Sequence, residues 1–209
     1  MEPSVFIAAC SPRRGGNSDC AAEAARMALP VPAFVRRVAD VGVRPCASCG
    51  HCLSHPGECA LDGPGDGAAA LFGHVAHARL TLIVSPVYFY HLPAQAKAWV
   101  DRSQCCWGLP PSGKPAAGRV LSAILIGARE RGEHLFDGAE RSLRCMARVM
   151  GMDWHPALRL YGFDGPGALR DDSAAQGRIR SFAAAAWHML EGREVRHAPS
   201  RAETAGMAR

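Results

Sequence analysis

The sequence predicts an α/β fold, a doubly wound parallel sheet of about five strands with helices on both faces. Short continuous apolar runs at Ser4–Cys10, Leu80–Ser85 and Val120–Gly127 have the length and composition of buried strands. Segments with apolar residues three and four positions apart lie between these runs. Strands that alternate with helices in this way are parallel and joined by right-handed crossovers. Ligands of such sheets bind beyond the C-terminal strand ends, so the loops that follow the strands are the candidate site.

Composition sets limits on the class of protein. The 209 residues, 48% hydrophobic and 21% charged, suit one ordinary domain and exclude disorder of the bulk chain or a coiled coil. The net charge of +5 is scattered along the sequence, so we expect no nucleic-acid partner. No apolar run reaches the roughly 18 residues of a membrane helix, and no basic region precedes the first apolar stretch. We expect a cytoplasmic protein without a membrane partner.

The first half of the chain divides into two strands, two helices and an insertion. The strand Ser4–Cys10 leads through a polar loop to a helix that opens at Asn17-Ser18-Asp19 and ends near Leu29, before Pro30. Ala33–Val38 is a weaker strand, expected near an edge of the sheet. Prolines and glycines keep residues 45–65, a cysteine-rich insertion after this second strand, irregular. A short helix over Gly67–Ala78 then leads to the next strand.

The second half continues the same alternation. The predicted elements are the strand Leu80–Ser85, a helix with Leu92, Ala96, Trp99 and Val100 on one face, the strand Val120–Gly127, a helix over Leu135–Met150 that stops at Gly151, a short strand at Leu158–Tyr161 and a helix from Asp171 to Gly192. Residues 1–192 therefore form one domain, and residues 193–209 are expected to be a polar, frayed tail.

The loop after the first strand has the chemistry of an anion site. Its sequence is Ser11-Pro12-Arg13-Arg14-Gly15-Gly16-Asn17-Ser18, and it ends at a helix N-terminus, where free backbone N–H groups and the helix dipole favour an anion. The side chains of Ser11, Arg13, Asn17 and Ser18 add suitable phosphate donors. The alternative is an ordinary polar turn before a helix. Neither a P-loop nor a dinucleotide-binding glycine motif is present.

The loop after the strand Leu80–Ser85 is aromatic. It reads Ser85-Pro86-Val87-Tyr88-Phe89-Tyr90-His91-Leu92-Pro93, and it follows one of the most apolar strands. Aromatic side chains in this position line a flat ligand or pack into the core, and this segment alone does not distinguish the two.

Together the two loops resemble the NADPH-dependent FMN reductase family, which has a flavodoxin-like fold. The resemblance rests on S-P-R-x-x-G-N-S from Ser11 to Ser18 and on S-P-V-Y-F-x-x-L-P-A-Q-x-K-x-x-x-D-R from Ser85 to Arg102. It implies that Ser11, Arg13, Asn17 and Ser18 hold the FMN phosphate. It also implies that backbone groups of Pro86, Val87, Tyr88 and Phe89 hold the isoalloxazine ring. Gly127–Gly132 is expected to be a third loop at the flavin.

Four cysteines are crowded within the insertion. Cys46, Cys49, Cys52 and Cys59 follow the spacing C-x2-C-x2-C-x6-C, and such a group in a reducing compartment favours metal or redox chemistry. The compact triplet suits a [4Fe–4S] cluster, whereas structural zinc sites more often show two separated pairs. Zinc, and thiols or disulfides without metal, remain alternatives. The other five cysteines, Cys105 and Cys106 among them, occupy segments that we interpret as core.

The cysteine spacing resembles the iron–sulfur flavoproteins, a subgroup of the same family. One difference is that Asp62 is followed by Gly63-Pro64-Gly65-Asp66, where relatives carry two adjacent acids. The resemblance implies an FMN-dependent oxidoreductase that passes electrons from NAD(P)H or ferredoxin to a small-molecule or protein acceptor through a [4Fe–4S] cluster. It also implies a homodimer or homotetramer. Because the flavin performs the chemistry, no catalytic side chain is assigned.

Three alternative functions use the same fold. They are a metal-free NAD(P)H:FMN or quinone reductase, a non-enzymatic electron carrier, and a zinc-loop binding module without flavin. Carriers of this type are typically acidic, so the net charge of +5 argues against the second of these.

Overall fold

Six parallel strands form one sheet in the computed structural model, which describes residues 4–197. The strands are β1 (Val5–Ala9), β2 (Ala33–Arg37), β3 (Leu80–Pro86), β4 (Val120–Ile126), β5 (Asp153–Trp154) and β6 (Leu158–Leu160). Their order is β2-β1-β3-β4, and β5 and β6 pair one after the other with the outer edge of β4. This arrangement confirms the flavodoxin-like doubly wound sheet, with β2 at an edge as predicted.

The described residues also form seven α-helices, five of them between strands and two after β6. They are α1 (Asn17–Ala28), α2 (His51–Ser54), α3 (Ala68–His77), α4 (Ala94–Arg102), α5 (Asp137–Met150), α6 (Ala168–Asp171) and α7 (Ser173–His197). None of the helices within the described part of the chain is both long and apolar enough to cross a bilayer.

Two hydrophobic layers cover the sheet, one on each face. On one face α3, α4 and α5 pack through Leu71, Trp99 and Leu143. On the other face α1 and α7 pack through a set of alanines together with Ile179 and Trp187. Strand residues are buried on both faces, as the continuous apolar runs predict for a parallel sheet.

The outer edge of the sheet differs from the prediction of a single strand at Leu158–Tyr161. The chain pairs with β4 twice, at Val120↔Asp153 and again at Ile124↔Leu158. Pro156 lies between the two short strands and has no N–H to donate to a ladder. A two-residue strand such as β5 is too short to show the residue periodicity that predicts a strand. It is recognised only by its pairing with β4.

Several element ends also differ from the predictions. Gly16 caps α1 without a side-chain hydrogen bond, because glycine has no side chain. The predicted final helix corresponds to α7, which extends to His197, five residues beyond the predicted end, and the short helix α6 before it was not predicted. The rest of the predicted tail, residues 198–209, lies outside the described residues. The insertion is mostly irregular but contains α2, preceded by Gly50 at φ +76°.

The predicted stop of α5 is confirmed. Gly151 adopts φ +80°, and a Cβ there would lie 2.8 Å from the Cβ of Lys114. The N–H of Met152 bonds to the carbonyl of Ala147 at 2.8 Å, which closes the helix end in the manner of a Schellman motif.

Candidate cofactor site

The loops after β1, β3, β4 and β6 meet at the C-terminal edge of the sheet and enclose a cavity of about 150 Å³. Its lining residues are Ser11, Arg13, Gly16, Asn17, Ser18, Pro86, Val87, Tyr88, Ile126, Ala128, Phe163, Asp164 and Pro166. The structure therefore brings together seven of the eight residues predicted for the cofactor. The eighth, Phe89, does not line the cavity, and its side chain is fully exposed.

The first loop offers unpaired donors to the cavity. The backbone N–H groups of Asn17 and Ser18, at the start of α1, have no acceptor in the described chain. Ser18 is a buried residue and Arg13 an exposed one, and neither side chain has a hydrogen-bond partner among the described residues. Donors without a protein partner at a helix N-terminus are the arrangement that binds a phosphate group.

An arginine compensates the negative charge of the acid in the first turn of α1. Asp19 accepts hydrogen bonds from the Arg37 guanidinium and, at 2.6 Å, from the N–H of Gly15. Arg37 also donates to the carbonyl of Ser11 at 3.1 Å. Strand β2 thereby fixes the loop and removes a charge that would repel an anion.

Asn17 has a role other than the predicted phosphate contact. Its amide nitrogen donates to the carbonyls of Phe163 at 3.1 Å and Gly165 at 3.0 Å. Its amide oxygen accepts from the N–H of Leu169 at 3.1 Å. Since three hydrogen bonds occupy this side chain, Asn17 holds the far wall of the cavity to the start of α1.

The second loop is a rigid two-residue turn. Tyr88 and His91 exchange hydrogen bonds of 2.8 and 2.9 Å between their backbones, and Phe89 and Tyr90 between them have φ of +47° and +64°. This is the backbone of a type I′ turn, which normally selects Asn or Gly. The N–H of Val87 donates to the carbonyl of Ile126 at 2.8 Å. Of the predicted ring-binding segment, only the N–H of Phe89 is left without a described acceptor.

Helix α5 and the third loop anchor this turn. His91 accepts from the N–H of Leu92 at 2.9 Å through Nδ1, so its Nε2–H donates to the Ser142 hydroxyl, also at 2.9 Å. Burial, followed by the nearby Lys97, lowers the pKa of His91, which is consistent with this neutral form. Arg129 donates to the Tyr90 hydroxyl at 2.8 Å.

The third predicted loop, Gly127–Gly132, contributes little to the cavity. Only Ala128 of this loop lines it. Gly127 instead pairs with the next segment, donating to Leu160 and accepting from Phe163 at 2.8 and 3.0 Å. That pairing brings Phe163, Asp164 and Pro166 into the wall, and the sequence analysis missed these residues. The turn-rich Asp164-Gly165-Pro166-Gly167 after a strand was the available signal.

A second cavity, of about 430 Å³, lies in the insertion. Cys46, Cys49, Cys52 and Cys59 all line it, and so does Cys105, which the sequence analysis assigned to the core. All five thiols are free. Among the described residues, no three His, Cys, Asp or Glu side chains are arranged to hold a single metal ion. The site thus gathers the four predicted thiols around one space without the geometry of a mononuclear zinc centre.

Arg102 connects this second cavity to the main fold. Its guanidinium bonds to Asp66, to Asp62 at 2.6 Å, and through Nε to the sulfur of Cys59 at 3.1 Å. Burial would raise the pKa of Asp66, but hydrogen bonds from Arg102 and from the N–H of Ala68 outweigh it and the pKa is lowered. Asp62 and Asp66, four positions apart in the sequence, thus meet on one arginine.

The chain matches a known protein family. A family model for NADPH-dependent FMN reductases matches residues 3–155, more than half of the chain. No curated protein sequence matches this chain.

The chain is also similar to solved structures. RosB with a bound 8-demethyl-8-formylriboflavin-5'-phosphate intermediate aligns with a TM-score of 0.66 at 16% identity, over 93% of this chain and 81% of that one. An NAD(P)H:quinone oxidoreductase from Methanothermobacter marburgensis aligns with a TM-score of 0.64 at 17% identity, over 89% of this chain and 94% of that one. The apo form of the NADH:FMN oxidoreductase EmoB aligns with a TM-score of 0.58 at 15% identity, over 91% of this chain and 89% of that one. At these identities the matches establish the shared fold.

Proposed function

Because this chain belongs to the NADPH-dependent FMN reductase family, we propose that it binds FMN in the cavity between β1 and β3 and passes electrons from NAD(P)H to an acceptor. The observation that carries the proposal is the set of unpaired donors in the first loop. The backbone N–H groups of Asn17 and Ser18, the Ser18 hydroxyl and the Arg13 guanidinium belong to residues that line one cavity, and none of them has a partner in the described chain. A phosphate group satisfies all of them at once.

The residues divide into two sets by what they hold. The phosphate would bind to Ser11, Arg13, Ser18 and the start of α1, and the ring would lie against Pro86, Val87 and Tyr88, with the N–H of Phe89 as the donor left over. Bound there, FMN would supply the hydride and single-electron transfer. The protein orients it through a turn that α5 and Arg129 hold rigid.

We further propose that the second cavity holds a [4Fe–4S] cluster through Cys46, Cys49, Cys52 and Cys59. Support comes from four free thiols that line one space, with ligand spacing typical of such clusters. The cluster would exchange single electrons with a ferredoxin-type protein or a small-molecule acceptor.

A homodimer or homotetramer is our proposal for the assembly. Leu53 and Trp107 on the cysteine side of the molecule and Phe89 beside the first cavity are exposed large hydrophobic side chains, and such residues mark protein interfaces when they cluster. Light scattering after gel filtration tests this, and a monomeric mass would contradict it.

Anaerobic purification with FMN, iron and sulfide assays tests the two cofactors separately. We expect one FMN per chain, about four irons per FMN, and oxidation of NAD(P)H coupled to reduction of a quinone. FMN with turnover but without iron would leave a metal-free reductase. FMN without turnover would indicate an electron carrier, and failure to bind FMN would overturn the proposal.

A further inference from the structure

Arg102 is a deeply buried charged residue, with 1% of its side-chain surface exposed. It ends α4, yet its side-chain hydrogen bonds reach Cys59 and Asp62 in the insertion and the two residues that flank it, Arg44 and Asp66. The guanidinium donates to the carbonyl of Arg44 and to the sulfur of Cys59, both at 3.1 Å, and to the carboxylates of Asp62 and Asp66. One side chain from a helix of the main fold therefore holds residues on both sides of the cysteine cavity.

The contact with Cys59 is specific to one sulfur. Among the described residues, no side-chain N–H donor reaches the sulfur of Cys46, Cys49 or Cys52, whereas the Arg102 guanidinium reaches Cys59. The guanidinium places its Nε at Cys59 while its two terminal nitrogens face the carboxylates, so the N–H dipole points at this sulfur from a fixed direction. Arginine provides such a fork of donors, whereas lysine provides a point charge without it.

The energetic cost of this arrangement indicates a role beyond stability. Asp66 has no exposed surface, and a buried ion pair contributes little compared with apolar residues of the same size. Removing a single partner would leave a buried charge uncompensated. Such a pair is explained more easily if its charge and its donors act on a neighbouring group.

We propose that Arg102 is the positioning residue of the cysteine site, which fixes the Cys59 sulfur and raises the reduction potential of the cluster bound there. The inference rests on the proposed [4Fe–4S] cluster. A reduced cluster carries one more negative charge than an oxidised one, so a hydrogen bond to a ligand sulfur stabilises the reduced form more. The iron bound by Cys59 would differ in this respect from the other three.

The test compares Arg102→Lys with a matched control, Arg159→Lys. Arg159 pairs with Glu140 at 2.5 Å, away from both cavities. Each protein is reconstituted anaerobically with iron, sulfide and FMN, and the cluster potential is measured by redox titration followed by electron paramagnetic resonance. We expect Arg102→Lys to keep its FMN and to show a cluster potential more negative than that of the wild type. Arg159→Lys should match the wild type.

A second variant, Asp62→Asn, gives a shift of opposite sign. It keeps Arg102 and its contact with Cys59 but removes one carboxylate, which is 41% exposed, so the potential should become less negative. If Arg102→Lys loses its iron while keeping FMN, the cluster potential of Asp62→Asn is the measurement that tests the role of Arg102.

The outcomes separate this inference from the proposed function. A wild-type protein that binds FMN but no iron would overturn the cluster and this inference with it. Equal potentials in wild type, Arg102→Lys and Asp62→Asn would overturn only the role of Arg102. Loss of FMN together with iron in Arg102→Lys would show a general support of the fold and would also overturn it.

Discussion

Arg13 and Arg14 are neighbours in one loop but have different surroundings. Arg14 is paired with Asp40 at 2.9 Å, whereas Arg13 lines the cavity without a described partner. The difference offers a matched pair for measuring how much the loop contributes to an anion. Sequence alone does not distinguish the two, because the pairing of Arg14 depends on where β2 ends.

Replacing Arg13 or Ser18 by Ala should weaken FMN binding by about 1–3 kcal/mol, since each change removes a hydrogen bond to a charged phosphate. Fluorescence titration of FMN measures the effect. Arg14→Ala, the control, should bind FMN nearly as the wild type does. Equal losses in Arg13→Ala and Arg14→Ala would indicate a general charge effect and contradict the assigned contact.

Asn17→Asp should lower the free energy of unfolding by about 1–3 kcal/mol and weaken FMN binding. The new carboxylate cannot donate, and it would face the carbonyls of Phe163 and Gly165 that now accept from the amide. Urea denaturation measures the stability change. Gln95→Glu, an exposed amide on α4, is the control, and an Asn17→Asp protein as stable as this control would refute the assignment.

His91 should make stability depend on pH. Its pKa is lowered from the ordinary value of 6.5, so below that pH the unfolded chain binds a proton that the folded chain does not. Folding stability should therefore decline as pH falls from about 7.5 to about 5.5. His91→Gln should decline less over the same interval, as measured by urea denaturation at both values, because other titrating groups are common to the two proteins. Parallel pH curves would contradict this.

At the scale of elements, the turn Tyr88–His91 shows where local sequence and structure disagree. Phe89 and Tyr90 both adopt the left-handed region, which is unfavourable for bulky residues. The surroundings impose the turn. A Cβ on Gly138 of α5 would come within 2.6 Å of the Tyr90 carbonyl, so helix and turn are in direct contact there.

Phe89→Asn should raise the free energy of unfolding by about 0.5–1 kcal/mol, because Asn tolerates this backbone and the phenyl ring packs against nothing in the described chain. Thermal denaturation of the two proteins checks this. Met27→Asn, which replaces an exposed apolar side chain within α1, should give no such gain. A destabilised Phe89→Asn protein would show that the ring has a partner.

Long strands and helices were predictable from the sequence, and the shortest ones were not. Strands β1, β3 and β4 are continuous apolar runs, and Gly151 marks the end of α5 by its chemistry. The strand β5 was not predictable, because two residues carry no period. The side-chain contacts of Asn17 were not predictable, since its amide bonds across 146 residues of sequence to Phe163 rather than to its own helix.

At the scale of the molecule, the two cavities belong to different parts of the chain. The first lies at the strand ends, and the second lies in the insertion and against the end of α4. Sequence motifs located both, because each contains a local run of residues with characteristic spacing. The motifs did not reveal Cys105, which reaches the second cavity from the turn after α4, or the wall after β6, since both depend on tertiary packing.

Replacing Cys46, Cys49, Cys52 and Cys59 together by Ser should leave FMN binding intact and change the unfolding free energy of the metal-free protein by less than about 2 kcal/mol. The reason is that Cys46 and Cys49 are exposed and Cys52 and Cys59 are only partly buried. Flavin titration and urea denaturation measure the two quantities.

Cys10→Ser is the contrasting control for that experiment. Cys10 lies in the core at the end of β1, where burial raises its pKa to about 12, and a hydroxyl there should cost about 1–3 kcal/mol. Loss of FMN binding in the quadruple variant would show that the insertion supports the first site.

The divided outer border of the sheet bears on self-association. An uninterrupted border strand offers unpaired backbone groups to any second chain and invites intermolecular β-pairing. Here that border consists of strands of two and three residues with Pro156 between them, too short and too irregular to serve as a template. We expect any oligomer of this protein to form through side-chain surfaces, and concentrated solutions to resist fibrillar aggregation along this side.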